Sequence, residues 1–115
     1  MAFSSSEKNE IEKLMDDFLK RRRPPEDMRD KLDLSYRIKN QSIEIFELRP
    51  QFIRPDKTME DPVAKITFVR KQNAWKVYWM MSDLKWHSFE HQPQTDTLAR
   101  ALQIIDEDET GAFWG

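Results

Sequence analysis

The stretch WKVYWMM, residues 75–81, carries the strongest strand pattern in this chain. Residues along a β-strand point alternately to opposite faces of a sheet. One face of this segment is apolar and consists of Trp75, Val77, Trp79 and Met81. The other face still carries Tyr78 and Met80, so we predict a strand that has another surface packed on each of its faces.

Alternating patterns extend the sheet on both sides of this strand. Further strands are predicted at 32–38, 42–49 and 63–71, and residues 86–89 form a short fifth strand or an extended segment. Residues 39–41 and 72–73 have turn composition, which predicts antiparallel hairpins. Segment 50–61 is bounded by Pro50 and Pro62 and contains Pro55, so we expect a long loop of the kind that often carries function.

An amphipathic helix is predicted on each side of the strands. The first begins near Ser4 and Glu7, which have capping-box spacing, and stops at Pro24 and Pro25. Its apolar stripe consists of Ile11, Leu14, Met15, Phe18 and Leu19. The second helix opens at Pro93 and Thr95, and its stripe consists of Leu98, Ala101, Leu102 and Ile105. Since each helix has one apolar stripe, both should pack on one face of the sheet.

The predicted fold is therefore α+β: an N-terminal helix, a four- to five-stranded antiparallel sheet and a C-terminal helix, with both helices on one sheet face. The 115 residues fit a single domain, 1–115. Apolar residues on both faces of strands 42–49 and 75–81 require a cover for the second face. We expect that cover to be the apolar tail 111–115, the loop 50–61 or another subunit.

Composition excludes several functional classes. The absence of cysteine removes disulfides, thiolate nucleophiles and cysteine-based zinc sites, and the two glycines near the C-terminus cannot form a phosphate-binding loop. A net charge of −2 lacks the basic excess of a dedicated duplex binder. Neither a signal peptide nor an apolar run of membrane-spanning length is present, so we predict a cytoplasmic protein with no membrane partner. We expect no cofactor.

Several segments resemble DUF3024, a family of small bacterial proteins of unknown function. The resemblance rests on IFELRP (45–50), PVAK (62–65), WKVYWMMSDLKWH (75–87) and GAFWG (111–115), and it extends over nearly the whole chain from Ile11. It implies a free-standing domain and no particular activity. His91 departs from the Glu-Pro that the family has near this position, so the resemblance gives His91 no role.

Three local motifs suggest chemistry but have structural explanations. The segment HSFEH (87–91) spells the inverted zinc-protease signature, which needs a helix; on a strand the two imidazoles would stand about 13 Å apart. Residues 106–111 match the first half of a calcium loop, whose bidentate Glu would fall beyond the chain end. The run Arg21 to Arg23 could bind phosphate, although cations also suit a helix C-terminus. We interpret all three motifs as structural.

The candidate binding residues surround the turn that follows strand 75–81. They are Arg49, Lys65, Tyr78, Asp83, Lys85, Trp86 and His87. Arg49 and Lys65 come from neighbouring strands and are expected to converge there, and Asp83 beside His87 is the minimum for a general base with an orienting carboxylate. The structural alternative is that Asp83 caps the turn while Trp86 and His87 satisfy buried hydrogen bonds. No residue is assigned a catalytic or metal-binding role.

Three functions follow from these patterns. We favour a non-catalytic interaction domain that uses its second sheet face for a homodimer or a protein partner. A nucleic-acid-binding module is the first alternative, because aromatic residues are interleaved with Arg49, Lys65 and Lys85. A small hydrolase centred on Asp83 and His87 is the second, and it lacks a nucleophile with a clear base partner.

Overall fold

The computed structural model describes residues 2–114 and has the predicted α+β fold. Helix α1 (Ser5–Arg22) is followed by the strands β1 (Asp33–Lys39), β2 (Ser42–Pro50), β3 (Thr58–Val69), β4 (Ala74–Met80), β5 (Trp86–Ser88) and β6 (Gln94–Thr95), and then by helix α2 (Leu98–Glu107). Met1 and Gly115, the last residue of the predicted tail, lie outside the described range. No helix within residues 2–114 is long and apolar enough to cross a membrane.

The strands form one antiparallel sheet in the spatial order β1-β2-β3-β4-β5, and the short β6 also pairs with β4. The two predicted turns are present: Lys39 pairs with Ser42, and Val69 pairs with Ala74. Asn40 and Asn73 occupy these turns with φ angles of 54° and 49°. Asparagine is one of the few residues that tolerates this left-handed region, which explains the turn signal in the sequence.

Both helices pack on one face of the sheet, as predicted. Helix α1 begins at the predicted capping box, in which the Ser4 hydroxyl accepts from the Glu7 amide and the Glu7 carboxylate accepts from the Ser4 amide. The fully buried centre of the core contains Met15, Phe18, Ile43, Ile45, Ile66, Val77 and Ile105. One core therefore lies between the helices and the sheet.

The C-terminal tail folds back onto the helix side of the sheet. Asp108 ends α2 in a left-handed conformation, and its carboxylate accepts hydrogen bonds from the amides of Phe113 and Trp114 at 3.0 and 2.9 Å. The Trp114 indole donates to the carbonyl oxygen of Ile105 at 2.8 Å. The tail thus packs beside the helices, and the outcome in which it covers the second sheet face does not occur.

The loop between β2 and β3 is shorter than predicted. Strand β3 begins at Thr58, so residues 51–57 form the loop instead of 50–61. Pro62 is part of the strand and lies opposite Phe46, next to an irregularity in the pairing. This position tolerates proline because β4 pairs with β3 only from Ala64 onward, so the missing N–H of Pro62 breaks no ladder bond on that side.

The start of α2 also lies later than predicted. Gln94 and Thr95 pair with β4 as strand β6, and Thr97 is the residue that caps the helix. The Thr97 hydroxyl accepts a hydrogen bond from the Arg100 amide. A threonine at this position satisfies an amide that the first helical turn leaves unpaired, and this interaction determines where α2 begins.

Candidate functional site

The alternation of side chains defines a second sheet face, which we call the outer face. Ile43, Ile66 and Val77 are opposite one another in register and point into the core. Residues one position away point to the other side. The large apolar members of the outer face include Phe46, Leu48, Tyr78, Met80 and Trp86.

Three predicted site residues meet on the outer face. Lys65 is directly opposite Tyr78 on β3 and β4, and its ammonium lies 5.5 Å from the centre of the Tyr78 ring. Trp86 is opposite Met80 one strand further on. All four side chains are half-buried, so this part of the sheet presents a mixed aromatic, apolar and basic surface.

The neighbouring part of the outer face is closed by its own side chains. The Arg37 guanidinium lies 4.3 Å from the centre of the Phe46 ring, and Phe46 is only 8% exposed. Arg37 also pairs with Glu44 and with Glu60, and this pairing raises the pKa of the guanidinium, chiefly through the Glu60 hydrogen bond. The Arg37 charge is therefore neutralised locally.

Asp83 and His87 form the predicted pair across the β4–β5 turn. The Asp83 carboxylate bonds to His87 Nε2 at 2.7 Å and accepts from the Lys85 amide at 3.0 Å. The His87 hydrogen bond is the main reason that the pKa of Asp83 is lowered. Both side chains are well exposed, at 39% for His87 and 46% for Asp83, so the hydrogen bonds that were expected to be buried lie at the surface.

This pair has an orienting carboxylate and an imidazole, but its neighbour is unsuited as a nucleophile. Ser88 follows His87 on β5 and is opposite Tyr78. Adjacent strand residues point to opposite faces, so Ser88 lies on the outer face while His87 lies on the other. The Asp83–His87 hydrogen bond therefore closes the β4–β5 turn.

A groove lies beside His87 on the helix side of the sheet edge. It encloses about 590 Å³ and is bounded by β4, the segment 87–91 and the tail, with Trp79, Phe89 and Ala112 among its apolar walls. His87 and His91 both reach it, and His91 is 4.0 Å from Glu109. Within residues 2–114, no group of three or more histidines and acids is arranged to hold a metal ion. The walls of the groove thus combine apolar side chains with the two imidazoles and the Glu90 carboxylate.

Arg49 does not join this cluster. It is opposite Met59 near the far end of the β2–β3 hairpin, whereas Lys65 is opposite Glu44. Lys65 lies six positions after Met59 on β3, which corresponds to about 20 Å along a strand. Arg49 pairs instead with Glu47 at 2.8 Å, and that hydrogen bond is the main reason that its pKa is raised. Lys85 lies in the exposed turn beside Asp83.

The three local motifs have structural roles, as interpreted from the sequence. His87 lies in β5 and His91 in the following turn, so HSFEH is not helical. The Asp108 carboxylate caps the tail, and Asp106 pairs with Arg22 at 2.9 Å. Arg23 pairs with Asp33 at 2.8 Å. The apparent calcium and phosphate motifs thus connect α1, α2 and the tail.

One exposed feature was missed by the sequence analysis. At the tip of the β2–β3 hairpin, Phe52 is 98% exposed and Ile53 is 88% exposed. Beyond the register pair Asp33 and Leu48, β2 is no longer paired with β1, so the hairpin continues as a two-stranded arm. Two consecutive apolar residues between prolines are the signal that could have indicated it.

The comparisons identify a family and nothing more specific. A family model described as a domain of unknown function, DUF3024, matches residues 3–115. No curated protein and no solved structure matches the chain. The family match agrees with the resemblance seen in the sequence, and its description names no ligand, reaction or partner.

Proposed function

We propose that this chain, which belongs to the DUF3024 family, is a non-catalytic interaction domain that binds a protein through its outer face. One observation carries the proposal. Both helices and the tail pack on the opposite face, while Tyr78, Met80 and Trp86 remain only half-buried on the outer face. Strand β4 therefore has apolar side chains on both of its faces, but the helices and the tail cover only the inner face.

Burial of these side chains would favour binding. Removal of apolar surface from water contributes about 25 cal/mol per Å², and tyrosine, tryptophan and methionine are the residue types enriched in protein interfaces. The backbone of these three residues is held in paired strands, so binding would not require ordering of the main chain.

The charges on the face define the chemistry of the partner. Lys65 is opposite Tyr78, and Lys76, on the same face, is opposite Thr67. Glu44 lies opposite Lys65 on the β2 side, whereas the residues opposite Lys76 are the uncharged Thr67 and Gln94. A complementary surface would therefore be apolar at its centre and acidic where it meets Lys76, since opposite charges across an interface raise specificity and association rate.

The test compares the wild type with the double variant Tyr78→Ser/Met80→Ser. Light scattering on a sizing column, at a low and a high protein concentration, reports self-association. Retention of cell proteins on immobilised domain reports other partners. We expect at least one of these readouts in the wild type and its loss in the double variant, because both substitutions remove apolar surface from the outer face.

Leu84→Ser is the matched control. Leu84 is 81% exposed in the β4–β5 turn, so this change also removes an apolar side chain but leaves the outer face intact. A cooperative urea transition in each variant shows that it is folded. Equal column mass and equal retention for the wild type and the folded double variant would contradict the proposal.

Binding of single-stranded nucleic acid is a second candidate, favoured by one observation. Lys65, Lys76, Tyr78 and Trp86 share the outer face, and such surfaces stack bases on aromatic rings while lysines contact phosphates. Titration of tryptophan fluorescence with single-stranded DNA and RNA at low salt separates the candidates. Quenching that salt reverses and that Lys65→Ala weakens supports nucleic acid, and a flat titration removes this candidate.

A further inference from the structure

Strand β1 is a long free edge of the sheet. Its seven residues, Asp33–Lys39, pair with β2 on one side. Among residues 2–114, no strand pairs with its other side. The opposite sheet edge differs, because β4 is bordered there by the short strands β5 and β6, of three and two residues. Long free edges attract further strands, so natural proteins usually block them.

The turn geometry determines which β1 groups point outward. A two-residue turn joins Lys39 to Ser42, and in such a hairpin the closing pair exchanges both of its hydrogen bonds. Because bonded and non-bonded pairs alternate along the strand, Leu34, Tyr36 and Ile38 direct their N–H and C=O groups away from β2. The Leu34 amide confirms this direction, since it donates to the Asp33 side chain at 2.8 Å instead of to β2.

We propose that β1 pairs antiparallel with β1 of a second copy of this chain, about a two-fold axis at Tyr36. In this register Tyr36 faces Tyr36 of the second copy, and Leu34 faces its Ile38. Each of the three outward residues would exchange both hydrogen bonds with its opposite number. The Leu34 amide would leave the Asp33 carboxylate and bond to the backbone of the second copy.

Side-chain chemistry supports this register. On the helix side the pairs are apolar, namely Leu34 with Ile38 and Tyr36 with Tyr36. On the outer side Asp33, whose carboxylate already pairs with Arg23 of its own chain, would also face Lys39 of the second copy, and this contact occurs twice because of the two-fold symmetry. Cross-strand pairs of this kind stabilise antiparallel sheets.

Other registers are less complementary. A shift by one residue would place apolar side chains opposite polar ones. A register centred on Arg37 places Arg37 opposite Arg37 of the second copy, so two like charges meet. A register centred on Ser35 places Asp33 opposite Arg37 of the second copy, but it pairs only residues 33–37 of β1. The register centred on Tyr36 uses all of β1, pairs its apolar side chains with one another and gives Asp33 a second cation beside Arg23, which identifies a second copy of this chain as the partner.

This interface is independent of the outer-face proposal. It uses the rim of the sheet, and it would join two sheets edge to edge so that their outer faces lie side by side. Substitutions at Tyr78 and Met80 should leave it intact, so either proposal can fail without the other.

The first test is light scattering on a sizing column at a low and a high concentration, with Lys39→Glu as the variant. Lys39 is exposed, and the variant places a glutamate opposite Asp33 at both ends of the paired strands. We expect a wild-type dimer and a dissociation constant raised roughly tenfold in the variant. Lys71→Glu, an exposed lysine at the β3–β4 turn, controls for net charge and should dimerise like the wild type.

The second test is amide hydrogen exchange measured residue by residue at the two concentrations. Protection of the Tyr36 and Ile38 amides should increase with concentration, because these N–H groups become bonded only in the dimer. The Ser35 and Arg37 amides already bond to β2 and should change little. A monomer at both concentrations, or a dimer whose Tyr36 and Ile38 amides exchange equally fast at both, would overturn the proposal.

Discussion

At the scale of single residues, one carboxylate connects the start of α1 to the sheet. Glu7 takes part in the capping box and also receives two hydrogen bonds from Arg70, at 3.1 and 2.9 Å. The Arg70 hydrogen bond is the main reason that the pKa of Glu7 is lowered from 4.5 to about 2. The charged form of Glu7 is therefore favoured in the folded chain more than in the unfolded chain.

Replacement of Glu7 by glutamine should reveal this linkage as a pH effect. A carboxylate whose folded pKa is depressed contributes stability that is present above its unfolded pKa and is lost as the pH falls toward the folded value. The variant should unfold more easily than the wild type at pH 7, and the difference should fade between about 4.5 and about 2. Urea titrations at several pH values measure it.

The exposed Glu10 provides the control for this experiment. Glu10→Gln removes an equal charge from the same helix but leaves the contacts of Arg70 in place. Its effect on the free energy of unfolding at pH 7 should be smaller than that of Glu7→Gln, because the Arg70 hydrogen bonds remain. A Glu7→Gln difference that stayed constant from pH 7 to pH 2 would contradict the assigned linkage.

At the scale of secondary-structure elements, the hairpin turns fix the register of the sheet. The β1–β2 turn depends on Asn40 at a φ of 54°. Since side chains on each strand alternate between core and outer face, a slip by one residue would turn Ile43 and Ile45 away from the helices. The turn residues therefore control which side chains reach the outer face.

Asn40→Ala should destabilise the fold by about 1–2 kcal/mol, because alanine lacks the short polar side chain whose local hydrogen bonding lets asparagine adopt the left-handed region. Asn40→Gly should have a smaller effect, because glycine enters that region freely. Urea denaturation of the two variants provides the comparison. Equal losses for alanine and glycine would mean that the Asn40 side chain, and not its backbone conformation, matters.

Sequence patterns were reliable for these elements where the signal is local. The capping box at Ser4, the stripe around Phe18 and the turn at Asn40 all depend on residues a few positions apart, and all are confirmed. The start of β3 was wrong because Pro62 was interpreted as a strand breaker. Its tolerance depends on the absence of a β4 partner at that point, which no local pattern reveals.

At the scale of the whole molecule, the core and the exposed arm differ in how much apolar side-chain surface they bury. The core lies between the two helices and one sheet face, whereas Phe52 and Ile53 at the arm tip are almost completely exposed. These two side chains bury little area within the chain, so they contribute little to the hydrophobic free energy of folding.

The double variant Phe52→Ser/Ile53→Ser should therefore change the free energy of unfolding by less than about 0.5 kcal/mol. Phe18→Ala is the contrasting variant: Phe18 is 0% exposed, and its truncation should cost about 3–5 kcal/mol. Chemical denaturation of both measures the difference. A large loss from the arm variant would show that the tip packs onto the domain.

The candidate site was only partly predictable. Lys65 and Tyr78 met because their strands are sequential hairpin neighbours, and Asp83 reached His87 because a short turn joins them. Arg49 was expected at the same place but lies near the opposite end of β3. A strand pattern shows which face a residue occupies, whereas its position along the neighbouring strand depends on register.

The order of the helices and main strands, the single apolar stripe on each helix and the family can be read from the chain alone, because they follow from short-range spacing and from local motifs. The packing of the tail beside α2, the free edge of β1 and the partial exposure of Tyr78 and Trp86 emerge only in the folded molecule. These features depend on contacts between residues that are far apart in the chain, which no local pattern encodes. The Arg22 guanidinium stacked 4.2 Å from the Trp114 ring is one such contact.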